Sequence, residues 1–271
     1  MNPLKPFIHL IADYGIGDPA FAEVIARLKK FVPEAEIVPT SVPLFSTVAT
    51  GFWIGQLSLY DPPKGAVIYA NTAPRNDDAA PRNNNEGEPL VYARLRSDVQ
   101  IVSPFAGFCF SFVRDDISEF RRVLADNHGS QFRSRDIYPK VVAQIVRQDH
   151  SALGPPLPTD SIPDIPLNRI AFIDGYGNMK TTIRQNEWRQ SASGFTTVTI
   201  NGITKQAAIA PGIFSVTPGS LVIAPGSSGG KNPFLEISKR AGSAAQVFDY
   251  PPVESTVIIQ RTIDQRLKQT V

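Results

Sequence analysis

Residues 151–166, from Ser151 to Pro166, hold five prolines. Proline has a fixed φ and no amide hydrogen, so this stretch can continue neither a helix nor a central strand. It reads as a linker. It divides the chain into residues 1–150, the linker 151–166, and residues 167–271, and the hydrophobic patterning differs on its two sides.

Before the linker the pattern alternates between strand and helix. Phe7 to Ala12 is a short apolar run that ends in the turn-rich Asp13 to Pro19. Phe21, Val24, Ile25, Leu28 and Phe31 then recur at helical spacing, with Pro19 where a helix can begin and Pro33 where it stops. Ala35 to Val38 reads as a second strand, so the opening is a β-loop-α-β unit that favours parallel pairing. A helix is expected over 47–60 and a buried strand over 65–70. A long polar loop, Asn71 to Glu88, follows. Strand patterning returns at 90–95 and 99–102, and helices are expected over 117–125 and 136–146. After the linker come short strands at 170–173, 195–200, 213–216, 221–223, 234–237 and 257–259, separated by Gly and Pro turns. The expected fold is an α/β N-terminal domain with a largely parallel sheet, plus a smaller all-β, barrel-like C-terminal domain.

Composition narrows the function classes. The chain has 271 residues, 42% of them hydrophobic, which is enough for a core and excludes a disordered chain or a collagen-like repeat. A net charge of +2 lacks the concentrated basic stripe of a nucleic-acid binder. One cysteine excludes an internal disulfide framework, and three scattered histidines argue against a metal site. No apolar run of bilayer length occurs, so no membrane association and a cytoplasmic location are expected.

Four places can carry chemistry, each with a plainer structural reading beside it. Asp13, after the first strand, is placed to bind a hydroxyl pair, or is a turn or capping residue. Gln131 to Asp136, ahead of a helix, offers a modest anion site, or a cap with solvated arginines. Asp174 to Asn178 ends a strand in a Gly-rich turn, where Asn178 can read a base edge with its paired donor and acceptor, or simply make the turn. Pro225 to Gly230 can cradle a carboxylate or amine, or act as a flexible connection. Cys109 lies in an apolar run and reads as a buried thiol.

Taken in order, these segments resemble the S-adenosylmethionine hydroxide adenosyltransferase family, which includes the fluorinase and chlorinase. The resemblance rests on Ala12-Asp13-Tyr14-Gly15 with Asp18-Pro19, Ser41 to Phe45, Lys64 to Val67, Phe132 to Asp136, Asp174 to Asn178, Ser227 to Gly229, and Phe234 to Ile237. It implies a homotrimer with S-adenosylmethionine, as substrate or ligand and with no separate cofactor, held between the N-terminal domain of one subunit and the C-terminal domain of the next. It also implies a role for each matching residue. Asp13 would hold the ribose hydroxyls. Phe45 would wall the sugar and sulfonium, and Phe132 would be a further substrate-binding residue. Asn178 and the backbone near Lys239 and Ala241 would meet adenine, and Asp174 and Ser227 the methionine end. The implied reaction is a displacement at ribose C5′, in which water or another anion attacks and methionine leaves.

The departures from the family pattern bear on the chemistry. The position of the water-activating Asp is Ala73, with Asp77 and Asp78 as the neighbouring carboxylates. Arg82 is nearest to the position of the catalytic Arg. The position of the catalytic His is Arg133, which does not serve as a base at ordinary pH. Ser134 stands where halide-transferring members place a halide-contacting Ser, and Arg133 beside it would favour an anion. Residues Gly230 to Pro233 are inserted in the closing motif. The leading expectation is therefore an enzyme acting on S-adenosylmethionine or a related adenosine compound, with Ser134 and Arg133 as its catalytic pair. The alternative is a non-catalytic adenosine-ligand-binding or structural protein that kept the fold and lost the water-activating set.

Overall fold

The computed structural model describes residues 5–72, 74, 85–125, 129–188 and 194–261. It divides into two compact units, Met1–Ile165 and Pro166–Val271.

The first unit is built on a seven-stranded sheet in the order β2-β1-β3-β5-β4-β6-β7. Its strands are β1 Phe7–Ala12, β2 Glu36–Ser41, β3 Val67–Asn71, β4 Leu90–Leu95, β5 Gln100–Pro104, β6 Ile117–Val123 and β7 Leu153–Pro156. The first four in spatial order, β2, β1, β3 and β5, run parallel, and β4, β6 and β7 extend the sheet antiparallel. Helix α1, Pro19–Phe31, starts where Asp18 accepts the Ala20 N–H at 2.8 Å and proline occupies the first turn. Val24 and Leu28 of α1 pack with Ile8, Leu10, Tyr69 and Tyr92 and with Val142 of α4, Tyr138–Val146, which follows the short helix α3, Arg133–Asp136. Burying each such aliphatic side chain contributes about 1.5–3 kcal/mol. Helix α2, Thr47–Leu59, is apolar nearly all round and packs on β1 and β3. The chain steps from β1 through α1 to β2 on one side, then through α2 back past β1 to β3 on the other. The carboxyl ends of β1 and β3 therefore flank a topological switch point, the place where ligands sit in open parallel sheets.

Two elements of this unit differ from the sequence reading. Residues 117–123 form strand β6 rather than a helix. Their three-residue apolar spacing arises because the strand is buried on both faces. Phe120 meets Phe105 and Phe110, while Val123 joins the cluster around Leu10 and Tyr69. The proline-rich segment is not free chain. Residues 153–156 form the edge strand β7, where a missing N–H is tolerated. Beyond it Ile162 is buried, and Arg114 holds the strap by bonds to the Ile162 carbonyl at 3.2 Å and Asp164 at 2.6 Å.

The second unit holds a curled seven-stranded sheet, order β14-β10-β11-β12-β13-β9-β8. Its strands are β8 Ile170–Ile173, β9 Met179–Arg184, β10 Gly194–Ile200, β11 Ile203–Ile209, β12 Leu221–Pro225, β13 Phe234–Lys239 and β14 Val257–Arg261. The curl brings its ends together. Arg169 bridges Thr256, the Ile170 N–H donates to the Ser255 carbonyl at 3.0 Å, and the Val257 N–H donates to the Asn168 carbonyl at 2.8 Å. Met179, Ile183, Val198, Ile223, Ile237 and Phe248 lie in its core, with Ala244 and Ala245 of the short helix α5, Ala244–Val247. Residues 213–215, expected as part of a strand, form a 3₁₀ turn. Ile213 and Val216 pack there on Ala210, Val222 and Ala224. Among the described residues no helix is long and apolar enough to cross a membrane.

Candidate functional site

In the first unit, the side chains that matter converge from loops that follow parallel strands. Asp13 follows β1, and its N–H donates to the carbonyl of Asn71 at the end of β3, 3.3 Å away. Its carboxylate accepts the backbone N–H of Phe45 at 3.0 Å. Phe45, in the loop after β2, is held at φ +62° and is 47% exposed. A bulky residue in that conformation stores about 1–3 kcal/mol of strain, so the Asp13 bond holds the loop in an otherwise disfavoured shape.

Tyr14 turns the other way, into a polar cluster. Its backbone carbonyl accepts from the Ser41 hydroxyl at 2.6 Å. Its phenol lies 2.6 Å from the Ser134 hydroxyl and accepts from Asn71 Nδ2 at 3.3 Å. The Tyr69 phenol donates to the Ser134 carbonyl at 2.7 Å. Edge-to-face contacts with Phe21 at 5.0 Å and Phe132 at 6.0 Å fix the Tyr14 ring. Burial pushes the Tyr14 phenol pKa well up; the Ser134 bond offsets part of the rise, and Asp13 and Asp18 add to it. Burial does the same to Tyr69.

The two arginines around Ser134 are tied down. Arg133 donates to the carbonyls of Asn85 and Ser130, both at 2.9 Å, and its guanidinium lies where a Cβ on Gly87 would stand. Arg135 lies over the Phe132 ring and pairs with Glu23 and Asp136. The structure thus gathers Asp13, Phe45, Phe132 and Ser134 at one switch point and gives Arg133 a loop-anchoring position beside them. Ala73, Asp77, Asp78 and Arg82 lie outside the described residues, as does His128.

The second unit carries its own group. Asp174 Oδ1 accepts the N–H of Tyr176 at 2.9 Å and of Asn178 at 3.0 Å, and Oδ2 accepts from the Asn178 side chain at 3.1 Å. The turn and the polar site are therefore one object. Gly177, at φ +79°, lets Ser243 approach so closely that a Cβ there would sit 2.0 Å from its hydroxyl. Ala245 N–H then donates to the Gly177 carbonyl at 2.9 Å and locks α5 on the turn. Lys239 bridges Gly242 around Ala241, which has φ +57°.

Ser227 lies 3.4 Å from the ammonium of Lys180, which pairs with Glu236 at 2.7 Å. Both charges are largely buried, and Ser238 also donates to Glu236, at 3.1 Å. The inserted residues are pinned by Arg184, which donates to the Asn232 carbonyl at 2.8 Å and stacks on Phe234 at 3.6 Å. The sequence reading assigned no role to Tyr14, Ser41, Tyr69, Asn71, Lys180 or Glu236. The signal available for Tyr14, Ser41 and Asn71 was position, at or just past the carboxyl end of a parallel strand.

An α/β unit with polar side chains at its switch point, followed by a curled β unit with an Asx-type turn, defines a two-unit class, α/β plus β. Residues 168–255 match the family model of the SAM hydroxide adenosyltransferase C-terminal domain, so the second unit is similar to that domain. The same fold occurs in the crystal structure of an uncharacterized conserved protein from Thermotoga maritima, with TM-score 0.74 and 22% identity, covering 94% of this chain and 100% of that one. It occurs again in a conserved hypothetical protein from Thermus thermophilus, with TM-score 0.67 and 20% identity, covering 95% of this chain and 100% of that one. No curated protein matches the chain.

Proposed function

We propose that the protein binds S-adenosylmethionine, or a closely related adenosine compound, and cleaves it at ribose C5′ by nucleophilic displacement. The observation that carries this reading is Asp13 at the switch point, its carboxylate one residue from the Tyr14–Ser134 pair. A carboxylate there suits a vicinal diol, and Ser134 suits the incoming nucleophile. Asn178 meets adenine, while Asp174 and Ser227 take the methionine end. The nucleophile's lone pair forms the bond to C5′, the C5′–S pair leaves with sulfur, and methionine is released. The protein acts as a homotrimer in which each site draws on two subunits. The apolar side chains Ile16, Leu44 and Phe45, exposed around the ends of β1 and β2, support an N-terminal half-site completed by another copy.

A second reading, binding without turnover, has one observation in its favour. Arg133 stands at the family's His position and spends its guanidinium on backbone carbonyls. Titration calorimetry with S-adenosylmethionine and with adenosine, followed by chromatography of the incubated mixture, separates the two. Saturable heat with methionine appearing supports cleavage. Saturable heat with intact ligand supports the second reading, and no heat from either compound overturns both.

A further inference from the structure

The second unit holds a charged pair that the proposed displacement does not use. The register of β9 and β13 sets Lys180 opposite Glu236. Alternation along β9 sends Met179 and Ile183 into the core of the curled sheet and turns Lys180 to the other face. There Lys180 Nζ donates to Glu236 Oε2 at 2.7 Å and to Ser227 Oγ at 3.4 Å, and the Ser238 hydroxyl donates to Glu236 Oε1 at 3.1 Å. An ammonium has three donors, so one N–H is left without an acceptor among the described residues. The Lys180 and Glu236 side chains are only 10% and 16% exposed, whereas Ser227 is exposed, so the pair meets solvent beside Ser227. The Gly226 N–H donates to the Phe234 carbonyl at 2.8 Å and the Phe234 N–H to the Ser228 carbonyl at 2.9 Å, which closes the loop that carries Ser227. A Cβ on Gly226 would stand 3.1 Å from Glu236 Oε2, so the loop lies directly on the pair. The inserted residues brace it. Asn232 Oδ1 accepts the Asn186 N–H at 3.2 Å, and Arg184 donates to the carbonyls of Gly229 and Asn232.

We infer that Lys180 is a specificity-determining residue: with Ser227 it takes the carboxylate of the ligand's amino-acid end, while Glu236 holds the ammonium at that place. The inference rests on the binding of S-adenosylmethionine proposed above and adds the cation that reading lacks. An α-amino acid presents both an ammonium and a carboxylate. Asp174, the other side chain assigned to this end, is an anion whose oxygens already accept from Tyr176 and Asn178, so it repels a carboxylate. Arg184 is spent on the loop carbonyls, and Arg240 on the carbonyls of Phe214 and Val216. Lys180 is the cation beside Ser227 with a donor to spare. A buried ion pair is worth little to stability beside apolar residues of the same volume, so packing alone gives no reason to bury these charges. A charge-assisted bond to an incoming carboxylate does. Glu236 keeps its own bond when the ligand arrives, so the ammonium is in place beforehand and little is lost in ordering it.

The test is titration calorimetry on the full-length protein with S-adenosylmethionine, adenosine, L-methionine and L-methioninol, in which an alcohol replaces the carboxylate. The wild type should prefer S-adenosylmethionine to adenosine and L-methionine to L-methioninol. In the double variant Lys180→Met with Glu236→Leu, which loses both charges together, each preference should fall by about 10–100-fold, the scale of one hydrogen bond to a charged group. Ser227→Ala should lower each by about 5-fold, the scale of a neutral bond. Its exposed position keeps the test open if the double variant does not fold. No preference for the carboxylate compounds in the wild type, or preferences unchanged in the variants, overturns the inference while the proposed function stands. A protein that binds neither nucleoside compound, yet prefers L-methionine to L-methioninol and loses that preference in the variants, overturns the proposed function and supports the role of Lys180. Binding of none of the four overturns both.

Discussion

Asp13 Oδ2 accepts the backbone N–H of Phe45 at 3.0 Å, so the residue after β1 sets the shape of the loop after β2. Asp13→Ala removes both that anchor and the carboxylate proposed for the ribose hydroxyls. Charge-assisted hydrogen bonds contribute about 1.5–3 kcal/mol each, so nucleoside affinity should fall by ~10²-fold or more in calorimetry. Asp13→Asn keeps an acceptor for Phe45 but loses the charge, and an intermediate affinity is expected. Equal affinity in wild type and Asp13→Ala would remove Asp13 from the site.

Lys180 and Glu236 form a largely buried ion pair in the second unit. Lys180→Met leaves the Glu236 carboxylate without its cation and should cost about 3–5 kcal/mol, read as a lower urea midpoint at unchanged m. Replacing both residues, Lys180→Met with Glu236→Leu, should restore most of the loss. A single variant as stable as the wild type would show the pair to be solvated.

His9 lies in β1, 9% exposed, with its Nδ1 buried and without a hydrogen-bond partner among the described residues. Burial lowers its pKa below the ordinary value of 6.5. The folded state then binds fewer protons than the unfolded chain just below pH 6.5, so stability rises with pH in that window. The contribution is complete above pH 6.5 and is lost as the pH falls towards the lowered value. His9→Gln should flatten Tm between pH 5 and 7. An unchanged slope would assign the pH dependence to another group.

Gly177 needs a positive φ and leaves no room for a side chain beside Ser243. Gly177→Ala should lower stability by about 1–3 kcal/mol, or roughly 3–10 °C in Tm. Adding Ser243→Gly should recover part of this by removing the clash. A Tm within a degree of wild type for Gly177→Ala would mean that the turn can relax.

The β1–α1–β2 start was legible because strand, cap and helical spacing agree over Phe7 to Phe31. Strand β6 was not, since burial on both faces mimics a helical repeat. Strand β9 was missed because Lys180, Thr181 and Thr182 are buried by pairing rather than by being apolar. Strand β11 was missed because its first half, Ile203 to Gln206, is largely exposed. Asp13, Phe45, Ser134, Asp174 and Asn178 stood in recognisable local motifs. The Asn71–Tyr14 and Tyr14–Ser134 bonds join residues 57 and 120 positions apart, and only the strand order of the sheet places them together.

The meeting of residues 168–170 with 254–257 also dictates an order of events during synthesis. The first strand of the curled sheet is made long before the segment that seals against it. At ~5–20 residues per second the N-terminal unit is complete roughly 5–20 s before the seal can form. Through that interval β8 presents an unpaired edge, the feature by which chains associate wrongly. Crowding on a polysome should therefore threaten the second unit far more than the first.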